Sequence, residues 1–250
     1  MRYFIFLAYN GSAYHGWQIQ NNAASVQGEL EHALSLILRS KIHVIGAGRT
    51  DTGVHASYYV AHFDCDTPVG NTSDLVFHLN SVLPQDISVS RIRQVTDSAH
   101  ARFDALQREY TYLISPCKTP FCRHLSWFLP TPLALDSMNT AADYLTQFDD
   151  FTSFAKLHSG NKTNICHVSS ASWTRNDNFI IFKISADRFL RNMVRAITGT
   201  LVDVGKGRIS PEQFRDIVAA RNLSLASSSA PPQGLFLSGI SYPENIFVED

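Results

Sequence analysis

The chain has 250 residues, of which 44% are hydrophobic and 17% charged, and its formal net charge is -1. This length can bury a sizeable core, the composition is ordinary for a globular protein, and the net charge gives no global argument for a nucleic-acid partner. The longest apolar runs are far shorter than the roughly 20 residues that span a bilayer, and the N-terminal run lacks a small-residue cleavage pattern. We therefore expect a cytoplasmic protein that does not contact a membrane.

The four cysteines and ten histidines are scattered along the chain. They form neither a CxxC pair nor an HExxH motif, and the two places where a cysteine lies near a histidine lack the paired spacing of a zinc ribbon or finger. The sequence therefore predicts thiols rather than disulfides, no metal site and no cofactor.

The first half of the chain alternates strand and helix patterns in the order βαββαβ. A strand over residues 2–9 precedes apolar residues at helical spacing, which follow Ser25 as a candidate N-cap. Strands are predicted over 41–45 and 56–63, a helix over 74–83 and a further strand over 87–95.

The second half repeats this order. A strand over 108–115 and a helix over 135–148 are followed by strands over 168–173 and 179–184, which flank the hairpin turn 175–178. A helix is predicted over 189–204, and Ser210, Pro211 and Gln213 supply a cap, a first-turn proline and a capping box for an extra helix. A strand over 235–242 ends the pattern.

Both halves have the pattern of a split βαβ unit, so the predicted fold class is α+β with two ferredoxin-like (RRM-like) βαββαβ halves. We place the halves at 1–105 and 106–250. Each half would cover one face of its sheet with its own helices and leave the other face open. Joined side by side, the two sheets would form one extended mixed or antiparallel sheet with an open cleft suited to a flat or elongated ligand.

A glycine-punctuated loop connects the two middle strands of the first half. Within it, Gly48 and Gly53 bracket Arg49 and Asp51. Glycine allows a sharp turn that presents neighbouring side chains outward. A carboxylate beside a guanidinium on such a loop is typical of an activated acid, base or nucleophile, although Asp and Gly are also common in purely structural turns.

Basic residues concentrate in the second half, where residues 183–221 contain eight Lys or Arg and four Asp or Glu. Arg188, Arg191 and Arg195 recur at i, i+3 and i+7, which predicts one guanidinium stripe along the helix over 189–204. Arginine suits phosphate or a buried carboxylate, but a solvated helix face explains the same stripe.

Tyr110 and Tyr112 alternate with Thr111 on a predicted strand, so they share one face of the sheet. Core packing is the default explanation for such a pair. On an open sheet face, a tyrosine can instead stack on a nucleobase.

Several short motifs occur in one order along the whole chain, and together they resemble the tRNA pseudouridine synthase A family. The motifs are Tyr9-Asn10-Gly11-Ser12, Gly16-Trp17-Gln18-Ile19-Gln20, Ser25-Val26-Gln27, Gly48-Arg49-Thr50-Asp51-Thr52-Gly53-Val54-His55-Ala56, Arg102-Phe103, Arg108-Glu109-Tyr110, Asp150-Phe151-Thr152-Ser153-Phe154, Phe189-Leu190-Arg191-Asn192-Met193-Val194-Arg195 and Ala230-Pro231-Pro232-Gln233-Gly234-Leu235. Two departures stand out: Asn10 replaces the family's usual aspartate, and residues 225–229 lack a glycine often found there.

The resemblance implies an isomerase that converts uridine to pseudouridine at positions 38 to 40 of the tRNA anticodon stem-loop. It maps the essential aspartate onto Asp51, which attacks C1′ or C6 or helps remove a sugar proton. It also implies that Arg49 displaces the target base, that Tyr110 lies on the flipped base, and that Arg195 pairs with Asp51. The resemblance gives no role to Arg188 or Arg191, for which we infer phosphate contacts.

The same resemblance implies an RNA-binding cleft, a homodimer that binds one tRNA across both subunits, and no DNA partner. Two alternatives belong to other functional classes. A non-catalytic RNA-binding protein on the same scaffold would keep the arginines and aromatics without needing Asp51, and an aspartate-nucleophile hydrolase would need a phosphate or metal site that the sequence does not display.

Overall fold

The computed structural model describes residues 1–156 and 162–248, which form nine strands and five α-helices in an α+β arrangement. The strands are β1 Arg2–Tyr9, β2 Val44–Gly46, β3 His55–Asp64, β4 Ile87–Val95, β5 Gln107–Ser115, β6 Trp127–Phe128, β7 Val168–Arg175, β8 Ile180–Ala186 and β9 Leu235–Ser241. The helices are α1 Val26–Leu38, α2 Thr72–Val82, α3 Leu135–Asp143, α4 Met193–Gly205 and α5 Pro211–Ala219.

The chain groups into two compact units. The first contains Met1–Leu106 together with the chain from Leu237 onward, and the second contains Gln107–Phe236. The sequence assigned all of 106–250 to the second half, whereas the chain from Leu237 onward packs with the first unit. The predicted division into halves stays a prediction.

The sheet of the first unit is built around β1. Strands β3 and β4 pair with β1 on its two sides, both antiparallel, while β2 pairs antiparallel with β3. β9 also lies beside β3. Helix α1 begins where predicted, because the Ser25 hydroxyl accepts a hydrogen bond from the Gly28 N–H at 3.3 Å.

Both faces of β1 are buried, so the prediction of an open sheet face is wrong for this part of the first unit. Phe4 and Phe6 point to one face, and they are 0% and 1% exposed. The ring of Tyr242 lies 5.0 Å from that of Phe4, and the Phe247 ring contacts both phenylalanines. The segment after β9 therefore covers a face that the strand pattern alone left open.

The sheet of the second unit has the order β5-β8-β7 with antiparallel pairing, and the short β6 adds a parallel pair to β5. The predicted hairpin turn is confirmed, since the Asn176 N–H donates to the Phe179 carbonyl at 3.0 Å. The predicted capping box is also confirmed at the start of α5, where Ser210 and Gln213 bond reciprocally.

Three predicted elements are shorter than the sequence indicated. The helix over 135–148 ends as α3 at Asp143 and tightens into a 3₁₀ turn, Tyr144–Gln147. The strand over 41–45 is reduced to β2, because the Ile42 N–H donates to the Ser35 hydroxyl instead of a neighbouring strand. The helix over 189–204 begins only at Met193, with consequences for the arginines described below. Over the described ranges, all helices are too short or too polar to cross a bilayer.

Candidate active site

The loop between β2 and β3, residues 47–54, carries Arg49 and Asp51 and is fixed on both sides of the aspartate. Immediately before it, the Thr50 carbonyl accepts the Trp17 N–H at 3.4 Å. After it, the Val54 N–H donates to the Asp51 carbonyl at 3.1 Å, and the Gly53 N–H reaches the Tyr14 carbonyl. We call residues 47–54 the aspartate loop. Its backbone is held by hydrogen bonds rather than by a regular strand or helix.

A buried cluster of Tyr9, Trp17 and Tyr59 packs against the aspartate loop. The rings of Trp17 and Tyr59 stack at 4.1 Å, and the Tyr9 ring meets that of Tyr59 edge-on at 5.5 Å. The Tyr59 hydroxyl donates to the Gly48 carbonyl at 2.5 Å, and the Tyr9 hydroxyl bonds the Thr50 hydroxyl at 2.9 Å. The cluster therefore positions the residues next to Arg49 and Asp51 through two side-chain hydrogen bonds.

Close backbone approach explains a glycine that supports this loop. Gly16 has a φ of +93°, and a Cβ placed there would lie 2.3 Å from the Thr50 carbonyl oxygen. A side chain at this position would be strained twice, by the left-handed backbone and by the collision. Gly16 thus lets the segment 14–17 lie directly against the aspartate loop.

His55, at the first position of β3, is fully buried and was not singled out from the sequence. Its Nδ1 accepts a hydrogen bond from the Gly11 N–H at 3.0 Å, which ties the end of the aspartate loop to the turn after β1. Both residues lie in the short motifs quoted above. Residue pattern alone did not reveal the supporting role of this histidine, nor those of Tyr9, Trp17 and Tyr59.

Asp51 is half-buried and Arg49 is exposed. The structure therefore presents both side chains on the same well-supported loop, at the surface of the first unit. Because the main chain is held in this way, the point from which the Asp51 side chain extends is fixed, which helps to position a catalytic acid, base or nucleophile.

Tyr110 and Tyr112 share a face of β5 but differ in environment. Tyr112 is fully buried and its hydroxyl donates to the Pro231 carbonyl at 2.7 Å, so the core-packing interpretation is confirmed for this residue. Burial raises the pKa of the Tyr112 phenol, and the Arg195 guanidinium partly opposes that shift. Tyr110 is half-buried, and its ring meets that of Phe189 edge-on at 5.1 Å.

The predicted guanidinium stripe along one helix is wrong. Asn192 has a φ of 64°, in the left-handed region, and α4 begins only after it. Because this residue breaks the helical path, Arg188 and Arg191 lie in the irregular segment before the helix, and only Arg195 lies within α4. The regular i, i+3, i+7 spacing therefore does not place the three side chains on one helix face.

The three arginines have different surroundings. The Arg188 N–H donates to the Asp187 carboxylate at 2.6 Å, and that carboxylate also accepts the His167 N–H. Arg191 is exposed, and its carbonyl accepts the Lys156 N–H. Arg195 is half-buried. The segment 187–195 is therefore anchored by backbone hydrogen bonds together with the side chains of Asp187, Asn192 and Arg195.

Arg195 holds the segment that follows α5. Its Nε donates to the Ala230 carbonyl at 2.8 Å, while the Ala230 N–H donates to the Arg195 carbonyl at 2.9 Å. Gly199, one turn further along α4, has no room for a Cβ beside the Ser228 carbonyl. Asp51 belongs to the first unit and Arg195 to the second, and their pairing stays a prediction.

The described residues were compared with the side-chain groups that usually bind a metal ion. Across 1–156 and 162–248, His, Cys, Asp and Glu side chains nowhere cluster in the groups of three that a metal ion would need. Burial raises the pKa of the Cys166 thiol to about 12, so this sulfur stays protonated and is a poor ligand or nucleophile at neutral pH.

Comparison with known proteins places the whole chain in one family. The sequence profile described as tRNA pseudouridine synthase matches residues 5–104 and 141–243. A tRNA pseudouridine synthase A of Bacteroides thetaiotaomicron is 52% identical, with 100% of this chain and 93% of the relative aligned. The protein of that name from Parabacteroides distasonis is 48% identical over 100% and 99% of the two chains, and that from Thermoanaerobacter pseudethanolicus is 41% identical over 95% and 98%. The resemblance read from the motifs is thus confirmed: the chain belongs to the tRNA pseudouridine synthase family of isomerases.

Proposed function

We propose that the chain isomerises uridine to pseudouridine at positions 38 to 40 of the tRNA anticodon stem-loop, with Asp51 as the essential group. The geometry of the aspartate loop supports the assignment to Asp51. Hydrogen bonds from the Trp17 and Val54 N–H groups hold the backbone at Thr50 and Asp51, and the Asp51 side chain is partly exposed. Family membership supplies the reaction, and the loop geometry supports the residue.

The reaction rearranges bonds within one nucleotide. The N1–C1′ bond breaks, the base rotates and C5 bonds to C1′; C5 then loses its proton and N1 gains one. Atoms and electrons balance without an oxidant, a reductant or a transferred group. A single carboxylate can begin this sequence by attacking C1′, by attacking C6 or by helping to remove a sugar proton.

Access to the glycosidic bond requires the uridine to leave its stack, which costs a few kcal/mol. We assign displacement of the base to Arg49. Its position two residues from Asp51 and its exposure support this role, because the side chain can enter the vacated space while the carboxylate meets the extruded nucleotide.

Tyr110 is assigned to the extruded base. Its ring is half-buried and is held edge-on by Phe189, so one part of the phenol ring stays accessible for stacking. Its hydroxyl would then help to take the proton from C5. Tyr112, whose hydroxyl is committed to the Pro231 carbonyl, does not fit this role.

Arg195 is assigned as the partner of Asp51. A guanidinium beside a carboxylate favours its ionised form and fixes its direction. The Arg195 Nε is engaged with Ala230, and this bond would orient the terminal nitrogens. We assign phosphate contacts to Arg188 and Arg191, which precede α4 and are half-buried and exposed, respectively.

Several broader features belong to the same proposal. The strand order β4-β1-β3-β2 of the first unit supports a ferredoxin-like half, and the repeated βαββαβ order supports a second. We also propose a homodimer that binds tRNA across both subunits, in the cytoplasm, without DNA or membrane partners. Recognition by backbone and shape would suit target sites of variable sequence.

The proposal is tested by incubating the purified protein with an unmodified tRNA transcript and mapping pseudouridine at single-nucleotide resolution. We expect new pseudouridine at one or more of positions 38 to 40 and at no other position. Modification elsewhere in the tRNA, or none with a set of transcripts that carry uridine at these positions, would refute the assignment.

A further inference from the structure

One aromatic side chain of the second unit is presented to solvent with almost no cover. Phe121 is 96% exposed at the centre of the 3₁₀ turn Pro120–Cys122. It lies in the connection between β5 and β6, residues 116–126, which we call the Phe121 loop. Neither the reaction nor the residues assigned above make use of this loop.

The Phe121 loop is internally bonded, so the exposure of the ring is built into its conformation. At its base, the buried Ser115 hydroxyl bonds the Cys117 carbonyl and the Thr119 hydroxyl at 2.5 and 2.9 Å. Beyond the turn, the Cys122 carbonyl accepts the Leu125 N–H and the buried Ser126 hydroxyl at 2.9 and 3.0 Å. These bonds direct the polar groups inward and leave the phenylalanine outward.

The charges near Phe121 along the chain have one sign. Lys118 and Arg123 precede and follow it in the loop and are exposed, and residues 110–135 contain no Asp or Glu. Arg123 is oriented by its neighbour, because its Nε donates to the His124 Nε2 at 2.6 Å. At the foot of the loop, the Lys206 ammonium lies 5.6 Å from the centre of the Trp127 ring and adds a further cation.

We propose that the Phe121 loop is a tRNA-binding element, in which Phe121 stacks on an unpaired nucleobase while Lys118 and Arg123 contact the flanking phosphates. An exposed aromatic ring between cations is the arrangement that binds single-stranded nucleic acid, because every base offers a π face and every linkage a negative charge. The partner follows from the proposed function, whereas the site lies outside the residues assigned to the reaction.

The chain offers a matched control in Phe77. This side chain is 70% exposed on α2, a helix that carries no Lys or Arg. Both phenylalanines are removed at little structural cost, since both are largely in solvent. The presence of flanking cations is therefore the main difference between the two positions.

The test compares the dissociation constants of Phe121→Ala, Phe121→Trp and Phe77→Ala for an unmodified tRNA transcript and for a fully paired RNA duplex. Since stacking on one base is lost, Phe121→Ala should weaken tRNA binding about 5- to 100-fold and leave duplex binding unchanged. Phe121→Trp should keep wild-type affinity, and its added indole fluorescence should be quenched by the tRNA. Phe77→Ala should behave as wild type.

Equal tRNA affinity of Phe121→Ala and wild type would overturn the proposal. The proposal would also be overturned if sedimentation showed that Phe121→Ala converts an oligomer to monomers while the affinity for tRNA is kept. Phe121 would then contact a second copy of the chain instead of tRNA. Failure of the proposed function looks different: the wild type would form no pseudouridine, whatever the effect of Phe121→Ala on binding.

Discussion

The aspartate loop of the first unit and the segment 187–195 of the second both carry charged side chains proposed to act on tRNA, but they are held differently. In the aspartate loop, buried aromatic side chains from other segments bond to residues beside Arg49 and Asp51: Tyr59 to the Gly48 carbonyl and Tyr9 to the Thr50 hydroxyl. In the segment 187–195, the side chains of Asp187, Asn192 and Arg195 themselves form hydrogen bonds to neighbouring segments. One left-handed residue, Asn192, decides where α4 begins. A carboxylate that must meet one atom needs the first kind of support, whereas contacts with phosphates tolerate the second.

The contact between Gly16 and Thr50 is a sensitive part of the aspartate loop, and Gly16→Ala should have a larger effect than the His62, tyrosine and Arg191 variants described next. The new Cβ would meet the Thr50 carbonyl at 2.3 Å on a backbone with φ +93°. We expect a loss of about 1–3 kcal/mol in the free energy of unfolding from strain. Displacement of Asp51 should lower kcat/KM about 100-fold.

Gly70→Ala is the control, because a Cβ there meets no atom within 4 Å. Denaturant unfolding and pseudouridine formation should match those of the wild type. If Gly16→Ala were as active as Gly70→Ala, the loop would not require the close approach.

The strand that follows the aspartate loop carries a buried histidine that should make the first unit sensitive to acid. His62 accepts the Ala101 N–H at 3.1 Å, and its pKa is lowered to about 4 by burial, with a smaller contribution from Arg2. The unfolded chain takes up a proton below pH 6.5, before folded His62 does. The free energy of unfolding is therefore highest near pH 7 and falls as the pH drops from about 6.5 to about 4. At pH 5 the expected loss due to His62 is about 2 kcal/mol.

Unfolding free energies at pH 7 and pH 5 measure this effect. His62→Gln keeps an acceptor for Ala101 but does not titrate, so its stability should change less between the two pH values than that of the wild type. An identical change in both proteins would assign the acid sensitivity to other groups, such as His100, whose pKa is also lowered by burial.

In the second unit, the two tyrosines of β5 should separate catalysis from stability. Tyr110→Phe keeps the ring that contacts Phe189 and stacks on the base, but removes the hydroxyl proposed to take the C5 proton. Turnover should fall about 100-fold, the lower end of the usual contribution of a general base, with tRNA binding unchanged. Tyr112→Phe should instead lower stability by about 1 kcal/mol, because the bond to Pro231 is lost, and keep turnover. Wild-type turnover by Tyr110→Phe would remove the catalytic role of the hydroxyl.

The smallest effect is expected for Arg191, which is exposed in the segment 187–195. Arg191→Glu should weaken tRNA binding about 5-fold near physiological salt and make the affinity less dependent on salt, because a phosphate contact is lost. Arg175→Glu makes the same charge change at the exposed last residue of β7 and is the control. If Arg191→Glu bound tRNA as tightly as the wild type at low salt, Arg191 would be a solvated side chain that does not contact phosphate.

Local sequence patterns predicted much of the fold. The bounds of β1 and β4 agree with the structure to the residue. β1 is a continuous apolar run that ends at a turn, whereas β4 begins with alternating buried and exposed residues. The caps at Ser25 and Ser210 were also predicted correctly, because capping depends on side chains within three residues. Two-residue β6 was missed, as so short a strand has no periodicity to detect.

Long-range contacts and single backbone angles account for the errors. The cover that Tyr242 and Phe247 place over Phe4 depends on residues more than 230 positions apart. The arginine stripe failed because the pattern assumed continuous helical geometry, whereas Asn192 adopts φ 64°. For the site, motif resemblance predicted roles for Asp51 and Arg49, which stay predictions, whereas the aromatic cluster that supports their loop is visible only in the packing.

The central claim is that the aspartate loop exists to position the Asp51 carboxylate, and Asp51→Asn tests it most directly. Asparagine keeps the size of the side chain and removes its charge, so binding and chemistry can be measured separately on the same unmodified tRNA. We predict wild-type affinity and no pseudouridine above background in single-turnover reactions. Measurable turnover by Asp51→Asn would contradict the account.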